Sequence, residues 1–183
     1  DPNNGAIRAM IGGFNYFESK FNRANQGGRL VGSGFKPLIY TAALEAGMTP
    51  ATLINDAPVV FDQTEGATDW RPQNSSGTFL GPTRLRTALY RSRNLVSVRL
   101  VRELGISEIV RIAERFGLDS DKLPNDLSIS LGTASLTPLE LAETYAVFAN
   151  GGYRVRQHLI DRIESSDGAV LYETRPVSVC AAD

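Results

Sequence analysis

Pro37 constrains the fold of this chain more than any other residue. Proline has no backbone N–H, and a helix tolerates it only in the first turn, where that N–H would be unpaired anyway. A helix must therefore start within about one turn of Pro37, with Val31-Gly32-Ser33-Gly34-Phe35-Lys36 leading into it. Ile39, Ala42, Ala43 and Ala46 recur at helical spacing and Gly47 stops the run, so the helix extends to about Ala46. Ser33 and Lys36 then stand at i and i+3 on one face, about 5–6 Å apart at Cβ, with the amine in reach of the hydroxyl.

The rest of the chain punctuates itself in the same way. Asp1-Pro2-Asn3-Asn4-Gly5 reads as a turn, and Ala6 to Ile11 as a short strand with Ile7, Ala9 and Ile11 on one face. A turn ahead of a strand usually joins an earlier strand, so the chain reads as an excerpt from something longer. Gly12 to Arg29 reads as loop, and Met48 to Gly81 as irregular with a short strand at Val59–Phe61. Three helices follow. Thr83 is expected to cap the first, with Leu85, Ala88 and Leu89 inward. The second, Leu95 to Leu104, is apolar but for a stripe of Arg99, Arg102 and Glu103, the pattern of a mostly buried helix. The third runs from Ser107 to Phe116 and closes at Gly117.

Thr137-Pro138-Leu139-Glu140 has the form of a capping box with proline at the first helical position; that helix ends at Gly151-Gly152. Ile160–Glu164, a Ser165-Ser166-Asp167-Gly168 turn and Ala169–Glu173 read as a hairpin, and beyond Pro176 the pattern fades. Helices clustered between terminal strands predict an α+β arrangement.

Composition removes several classes of function. The net charge of −1 over 183 residues comes from arginines interspersed with acids, which forms no basic stripe for nucleic acid. One cysteine, Cys180, excludes an internal disulfide and a cysteine-rich metal site. No apolar run approaches 18 residues. Neither metal nor cofactor is expected.

A serine needs a base to take its proton during attack. Only one histidine, His158, is present, so lysine is the available candidate. Lys36 can serve if desolvation or a nearby positive charge lowers its pKa, and amides at the helix N-terminus could receive an oxyanion. Ser-x-x-Lys alone occurs often by chance. Ser92-Arg93-Asn94, about 60 residues on in the break between two helices, adds a second hydroxyl and an amide that could face the same cleft. Asn94 could equally be a helix cap.

Together these stretches bring a family into view. The chain resembles the transpeptidase domain of class A penicillin-binding proteins in DPNNGAIRAMIGG, FNRANQ, VGSGFKPLIYTAALEAG, TPATLINDAPV, WRPQN, GPTRLRTALYRSRNLVSVRL, SLGTASLTPLELAETYAVFANGGYRV and IDRIESSDGAVLYE. Ser-x-x-Lys and a Ser-x-Asn triplet belong to the motif set of that superfamily. The resemblance implies an antiparallel sheet flanked by helices plus an all-helical lobe, incomplete in this chain. It implies Ser33 as the acylated nucleophile, Lys36 as base, Ser92 as proton relay and Asn94 as a substrate-binding amide.

The implied reaction is D,D-transpeptidation. The serine attacks the penultimate D-Ala carbonyl of a peptidoglycan stem peptide, terminal D-Ala leaves, and an amine on a neighbouring strand takes the acyl group. β-Lactam antibiotics would acylate the same serine. A D,D-carboxypeptidase, a β-lactamase and a non-catalytic β-lactam sensor or scaffold are the alternative members of the superfamily. Resemblance puts the protein at the periplasmic face of the bacterial inner membrane, with a glycosyltransferase domain and an anchor upstream.

The family's third motif, Lys-Thr-Gly or Lys-Ser-Gly, does not occur: the lysines are Lys20, Lys36 and Lys122, and none precedes Thr-Gly or Ser-Gly. Residues 1–183 are thus expected to be a partial domain, completed by that segment from the same parent protein or a second chain, and inactive alone.

The remaining candidates have plainer readings. His158 is expected at the surface and Cys180 to be a bystander. The Asn74-Ser75-Ser76 sequon is expected to be coincidental, and Trp70-Arg71-Pro72 to pack a loop or wall a cleft. Phe14, Tyr16, Phe17 and Phe21 are expected to cover the core rather than form a partner surface.

Overall fold

A computed structural model describes residues 1–61 and 69–174. The expectations for Cys180 and for the fading tail lie outside the described residues. In chain order the elements are β1 (Arg29–Leu30), α1 (Lys36–Glu45), β2 (Leu53–Asp56), β3 (Gly81–Arg84), α2 (Leu85–Tyr90), α3 (Asn94–Leu104), α4 (Ile106–Arg115), β4 (Ser135–Leu136), α5 (Pro138–Ala149), β5 (Arg162–Glu164) and β6 (Val170–Glu173). The chain divides into two compact units. One comprises Leu30–Ala113 and Ser120–Ala134; the other comprises Asp1–Arg29, Glu114–Asp119 and Ser135–Asp183. Helices with short antiparallel strand pairs bear out the α+β expectation.

The first unit is built on α1 and α3. On α3, Leu95, Val96, Val98, Leu100 and Val101 are all fully buried, whereas Arg102 and Glu103 are exposed, as the polar stripe predicts. Each such side chain stabilises the fold by about 1.5–3 kcal/mol relative to exposure. Their partners are α1, through buried Leu38, Ile39, Ala42 and Ala43, and a 3-10 turn at Leu127–Leu131. Ala46, expected on that face, is exposed at the helix C-cap. This core locks α1 against α3 and so fixes the chain segments that lead into both helices.

Strand β2 pairs antiparallel with β3, Ile54 opposite Thr83. Neither was expected, because Leu-Ile-Asn-Asp and Gly-Pro-Thr-Arg carry little β propensity and tertiary pairing decides them. Thr83 is therefore a buried strand residue, its hydroxyl donating to the Gly81 carbonyl at 2.9 Å, and the α2 N-cap is Arg84, which makes no side-chain cap. The expected 59–61 strand shrinks to one bridge between Phe61 and Trp70, whose rings lie 5.3 Å apart.

In the second unit the capping box forms in full. The Thr137 hydroxyl accepts the Glu140 N–H at 3.2 Å, and the Glu140 carboxylate accepts the Thr137 N–H at 2.8 Å. The expected 6–11 strand reduces to a parallel bridge of Ala6 with His158. Beyond it no described strand offers a ladder to residues 8–11, and Ile11 is 88% exposed. Phe116 lies just past α4 and its ring stacks on Phe148 at 4.9 Å. The hairpin forms as β5 and β6, with a register shift at Ile163/Glu164. The aromatic loop differs from expectation: Phe14 and Phe17 are almost wholly exposed. The loop closes on its own backbone, Arg23 N–H to the Gly12 carbonyl at 2.9 Å, and leaves the rings outside.

Candidate active site

Ser33 lies in a 3-10 turn, Gly32–Phe35, that runs directly into α1 with Pro37 in its first turn. The turn has no side-chain cap. It is held by the backbone instead: the Val31 N–H donates to the Ala134 carbonyl at 3.0 Å and the Gly32 N–H to the Gly132 carbonyl at 2.8 Å. The approach is so close that a Cβ on Gly132 would lie 1.9 Å from the Gly32 carbonyl oxygen.

Ser92 arrives by a different device. Its N–H donates to the Leu89 carbonyl and the Arg93 N–H to the Ala88 carbonyl, both at 2.9 Å, which is the Schellman closure of α2. Ser92 occupies the left-handed position of that motif at φ +54°, the one described non-glycine residue with positive φ. Glycine is the usual occupant, and a side chain there costs about 1–2 kcal/mol. The strained backbone turns both the carbonyl and the hydroxyl of Ser92 to one point.

That point is the Lys36 amine. Lys36 is 1% exposed, and its Nζ lies 2.7 Å from the Ser92 carbonyl oxygen, 2.9 Å from Ser92 Oγ and 2.7 Å from Asn94 Oδ1. Ser92 Oγ lies 2.9 Å from Ser33 Oγ. Among the described residues, Ser92 is the hydrogen-bond partner of the Ser33 hydroxyl. The expected direct Ser33–Lys36 bond is not made, because the amine turns into the protein toward three oxygens. Loss of hydration lowers the Lys36 pKa to about 8, assisted by the charge of Arg93.

The match to known families covers this whole arrangement. The family model for the penicillin binding protein transpeptidase domain aligns with residues 1–182. The chain belongs to the penicillin-binding protein transpeptidase family. It is 51% identical over 179 residues to penicillin-binding protein 1A of Pseudomonas aeruginosa, covering 98% of this chain and 22% of that protein. The crystal structure of penicillin-binding protein 1A from Haemophilus influenzae superposes with a TM-score of 0.89 at 42% identity, over 97% of this chain and 26% of that one. A penicillin G acyl-enzyme complex of penicillin-binding protein A from M. tuberculosis superposes with a TM-score of 0.72 at 28% identity, over 86% and 40% of the two chains. The chain thus spans about a fifth of the length of the curated relative. Its fold is that of part of a transpeptidase domain.

Within this transpeptidase segment the four expected site residues come together: Ser33 and Ser92 exposed, Lys36 buried, Asn94 half-buried. Asn94 is not a helix cap: it is the first residue of α3, whose N-cap is Arg93 and carries no side-chain cap bond. Its Oδ1 accepts from Lys36, one Nδ2 hydrogen goes to the Gln73 carbonyl at 2.9 Å, and the second is left over. The sequence reading missed a buried group beside them. Asp56, fully buried, accepts from Arg93 Nε at 2.7 Å and from Asn74 Nδ2 at 2.8 Å. The Asn74 amide is thereby committed inside the protein, and Trp70 stacks on Phe61 rather than standing free. The only signals were an Asp beside Asn55 in an otherwise apolar stretch and an Arg between two candidate residues.

Elsewhere in the transpeptidase segment, His158 is less superficial than expected, with its Nε2 2.9 Å from Asp161. Among the described residues no cluster of three or more His, Cys, Asp or Glu could hold a metal, and no helix is long and apolar enough to cross a membrane.

Proposed function

We propose that this chain supplies two walls of the active site of a serine D,D-transpeptidase that cross-links peptidoglycan stem peptides through an acyl-enzyme on Ser33. The observation that carries the reading is the unbroken chain from exposed Ser33 Oγ through Ser92 Oγ to the buried Lys36 amine.

Its direction follows from donor and acceptor chemistry. A neutral amine has two hydrogens and one lone pair. The Ser92 carbonyl and Asn94 Oδ1 can only accept, so they take both hydrogens, and the lone pair is left facing Ser92 Oγ. With the amine charged, Lys36 donates to Ser92 Oγ and the Ser92 hydroxyl donates to Ser33 Oγ. Once the amine is neutral both hydroxyls rotate, so that Ser92 donates to Lys36 and accepts from Ser33. As Ser33 Oγ bonds to the D-Ala carbonyl carbon, its proton moves to Ser92 and the Ser92 proton to Lys36. When the C–N bond breaks, the protons return along the same path to the departing D-Ala nitrogen. An acceptor amine reverses the sequence: it gives its proton to Lys36 through Ser92, bonds to the acyl carbon, and Ser33 leaves with its proton restored. A β-lactam enters the first half only, its leaving nitrogen tethered in the acyl-enzyme. At pH 7 about one Lys36 amine in ten would be neutral, against about one in three thousand for an ordinary lysine.

The remaining parts support the same reading. Among the described residues no acceptor takes the Ser33 N–H, which leaves it for an oxyanion. The free Asn94 N–H suits a substrate carbonyl. The second oxyanion donor would come from the Lys-Thr-Gly or Lys-Ser-Gly segment of the parent protein, at the periplasmic face of the inner membrane.

The test is labelling by a fluorescent penicillin of a protein that carries this chain together with the third-motif segment. Label is expected on the parent and not on Ser33→Ala. Equal label on Ser33→Ala overturns the proposal. Label without release of D-Ala from a stem peptide favours a β-lactam sensor, and release without cross-linking favours a carboxypeptidase.

A further inference from the structure

Arg93 lies between the two site residues of its triplet yet points away from them. It is 6% exposed, and each nitrogen of its guanidinium is engaged: Nε on Asp56 at 2.7 Å, one Nη on Ser76 Oγ at 2.9 Å, and the other on the Thr78 carbonyl. Asp56 in turn takes the Asn74 amide at 2.8 Å and the Leu80 N–H at 3.0 Å. Asn74 Oδ1 accepts the Leu95 N–H at 3.3 Å, one residue past Asn94. The guanidinium and these two side chains therefore tie β2, the 73–80 loop and the start of α3 into one knot.

We propose that Arg93, gripped by Asp56 and Asn74, is a positioning residue that holds Ser92 and Asn94 against the Lys36 amine; this rests on the functional reading above. The reason such a device is needed is visible at Ser92. A serine in the left-handed region tends to relax out of it, and relaxation would swing its hydroxyl off Lys36. Planar, multidentate anchoring of the next residue prevents that, and lysine could not span the same three partners. The charge has a second effect. Arg93 is the charged group that bears on Lys36. Asp56 on β2 is already bonded to Arg93, and Asp126 ahead of the 127–131 turn is turned to the Ser128 N–H at 2.7 Å. Arg86 on α2 is exposed, Arg99 on α3 goes to the Ala57 carbonyl, and Tyr40 on α1 is neutral well beyond physiological pH.

The experiment is the acylation rate against pH with a fluorescent penicillin, with saturation curves to separate maximal rate from affinity, on a protein carrying this chain and the third-motif segment. Asp56→Asn/Arg93→Met removes both charges together, so neither is left buried alone. Its maximal rate is expected to fall about 100-fold, the scale of a small misplacement. Its acid limb is expected to move up from about pH 8 toward the ordinary lysine range. Arg93→Lys keeps the charge and loses the anchoring: its limb is expected to stay and its maximal rate to fall, with affinity little changed. A folded double variant with the parent rate and the parent limb overturns the proposal. If the double variant does not fold, Arg93→Lys decides, and the parent rate in it overturns the proposal equally. A parent protein with no Ser33-dependent label refutes the functional reading itself, and does so before any Arg93 variant is compared.

Discussion

The starts of α5 and α1 both carry proline in the first turn, but their polar groups go to opposite uses. At α5 the Thr137 hydroxyl, the Glu140 carboxylate and two backbone N–H groups satisfy each other within four residues. At α1 no side chain caps the turn, and Ser33, where a capping hydroxyl could stand, is bonded to Ser92. The first start is closed by its own side chains, with one more first-turn amide, that of Leu139, donating to the Ala24 carbonyl at 3.0 Å. The second is held from a distance, by Gly132 and Ala134, and keeps its hydroxyl and the Ser33 amide for chemistry. Local closure serves stability; a start left open and tethered serves a site.

The largest effect that would test this contrast is at Lys36. Lys36→Met keeps the buried stem and removes the amine. Acylation by penicillin is expected to fall about 100- to 10,000-fold, the contribution of a positioned base, measured by stopped-flow or gel labelling. A rate within a few-fold of the parent would mean that the amine fills space only. Next comes Ser92→Gly. Glycine takes the left-handed position without strain, so the fold is expected to gain about 0.5–1 kcal/mol, while acylation falls about 100-fold for want of the relay. A variant less stable than the parent would show that Ser92 is not strained.

Gly132→Ala addresses the tether. Gly132 has φ +71°, and its added methyl would meet the Gly32 carbonyl 1.9 Å away, so backbone has to move. We expect a loss of about 1–3 kcal/mol in denaturant titration, accompanied by slower acylation. The same change at Gly151, which meets nothing within 4 Å at the end of α5, is expected to cost only the strain of its own φ. Equal acylation in both variants would break the claim that the α1 start depends on the tether.

How far these features could be read from the sequence depended on whether their partners were local. Thr137, Pro138 and Glu140 announce α5 because the side chains that cap it lie within one turn, and the hairpin at 165–168 is legible for the same reason. The Leu95–Leu104 stripe gave a buried helix correctly, since burial on most faces needs no knowledge of the partner. The geometry around Lys36 was not legible. Spacing pairs its amine with Ser33, three residues away, but the burial that lowers its pKa turns the amine toward oxygens 56 and 58 residues along the chain. Asp56, Asn74 and Arg93 lay hidden likewise, being ordinary polar residues until tertiary contact joins them. Strands β2 and β3 failed because their pairing, not their composition, makes them strands.

A smaller effect separates the two starts by pH. Lys36 is the rare lysine whose folded pKa is lowered, to about 8 from 10.5. Raising pH through 8 strips its proton, so acylation is expected to rise about tenfold between pH 7 and 9. Between about 8 and 10.5 the unfolded chain binds the proton that the folded chain has released, so stability linked to Lys36 rises with pH across that window. Below 8 the buried charge counts against the fold by a constant amount. A flat rate profile, or one falling from 7 to 9, would remove Lys36 as the base.

The smallest effect is at Thr137. Thr137→Ala deletes the hydroxyl that accepts the Glu140 N–H and leaves the Glu140 carboxylate on the Thr137 amide. About 1 kcal/mol of stability should be lost, the usual cost of removing such a cap, read as a lower midpoint in thermal or denaturant unfolding. Acylation by penicillin in the folded protein is expected to be unchanged, since the box takes no part in the Ser33–Ser92–Lys36 hydrogen-bond chain. Ser33→Ala is the mirror image: it silences acylation and leaves the midpoint where it was, because the Ser33 hydroxyl caps nothing. If Thr137→Ala slowed acylation, or Ser33→Ala lowered the midpoint by as much as Thr137→Ala does, the two helix starts would not divide stability from chemistry.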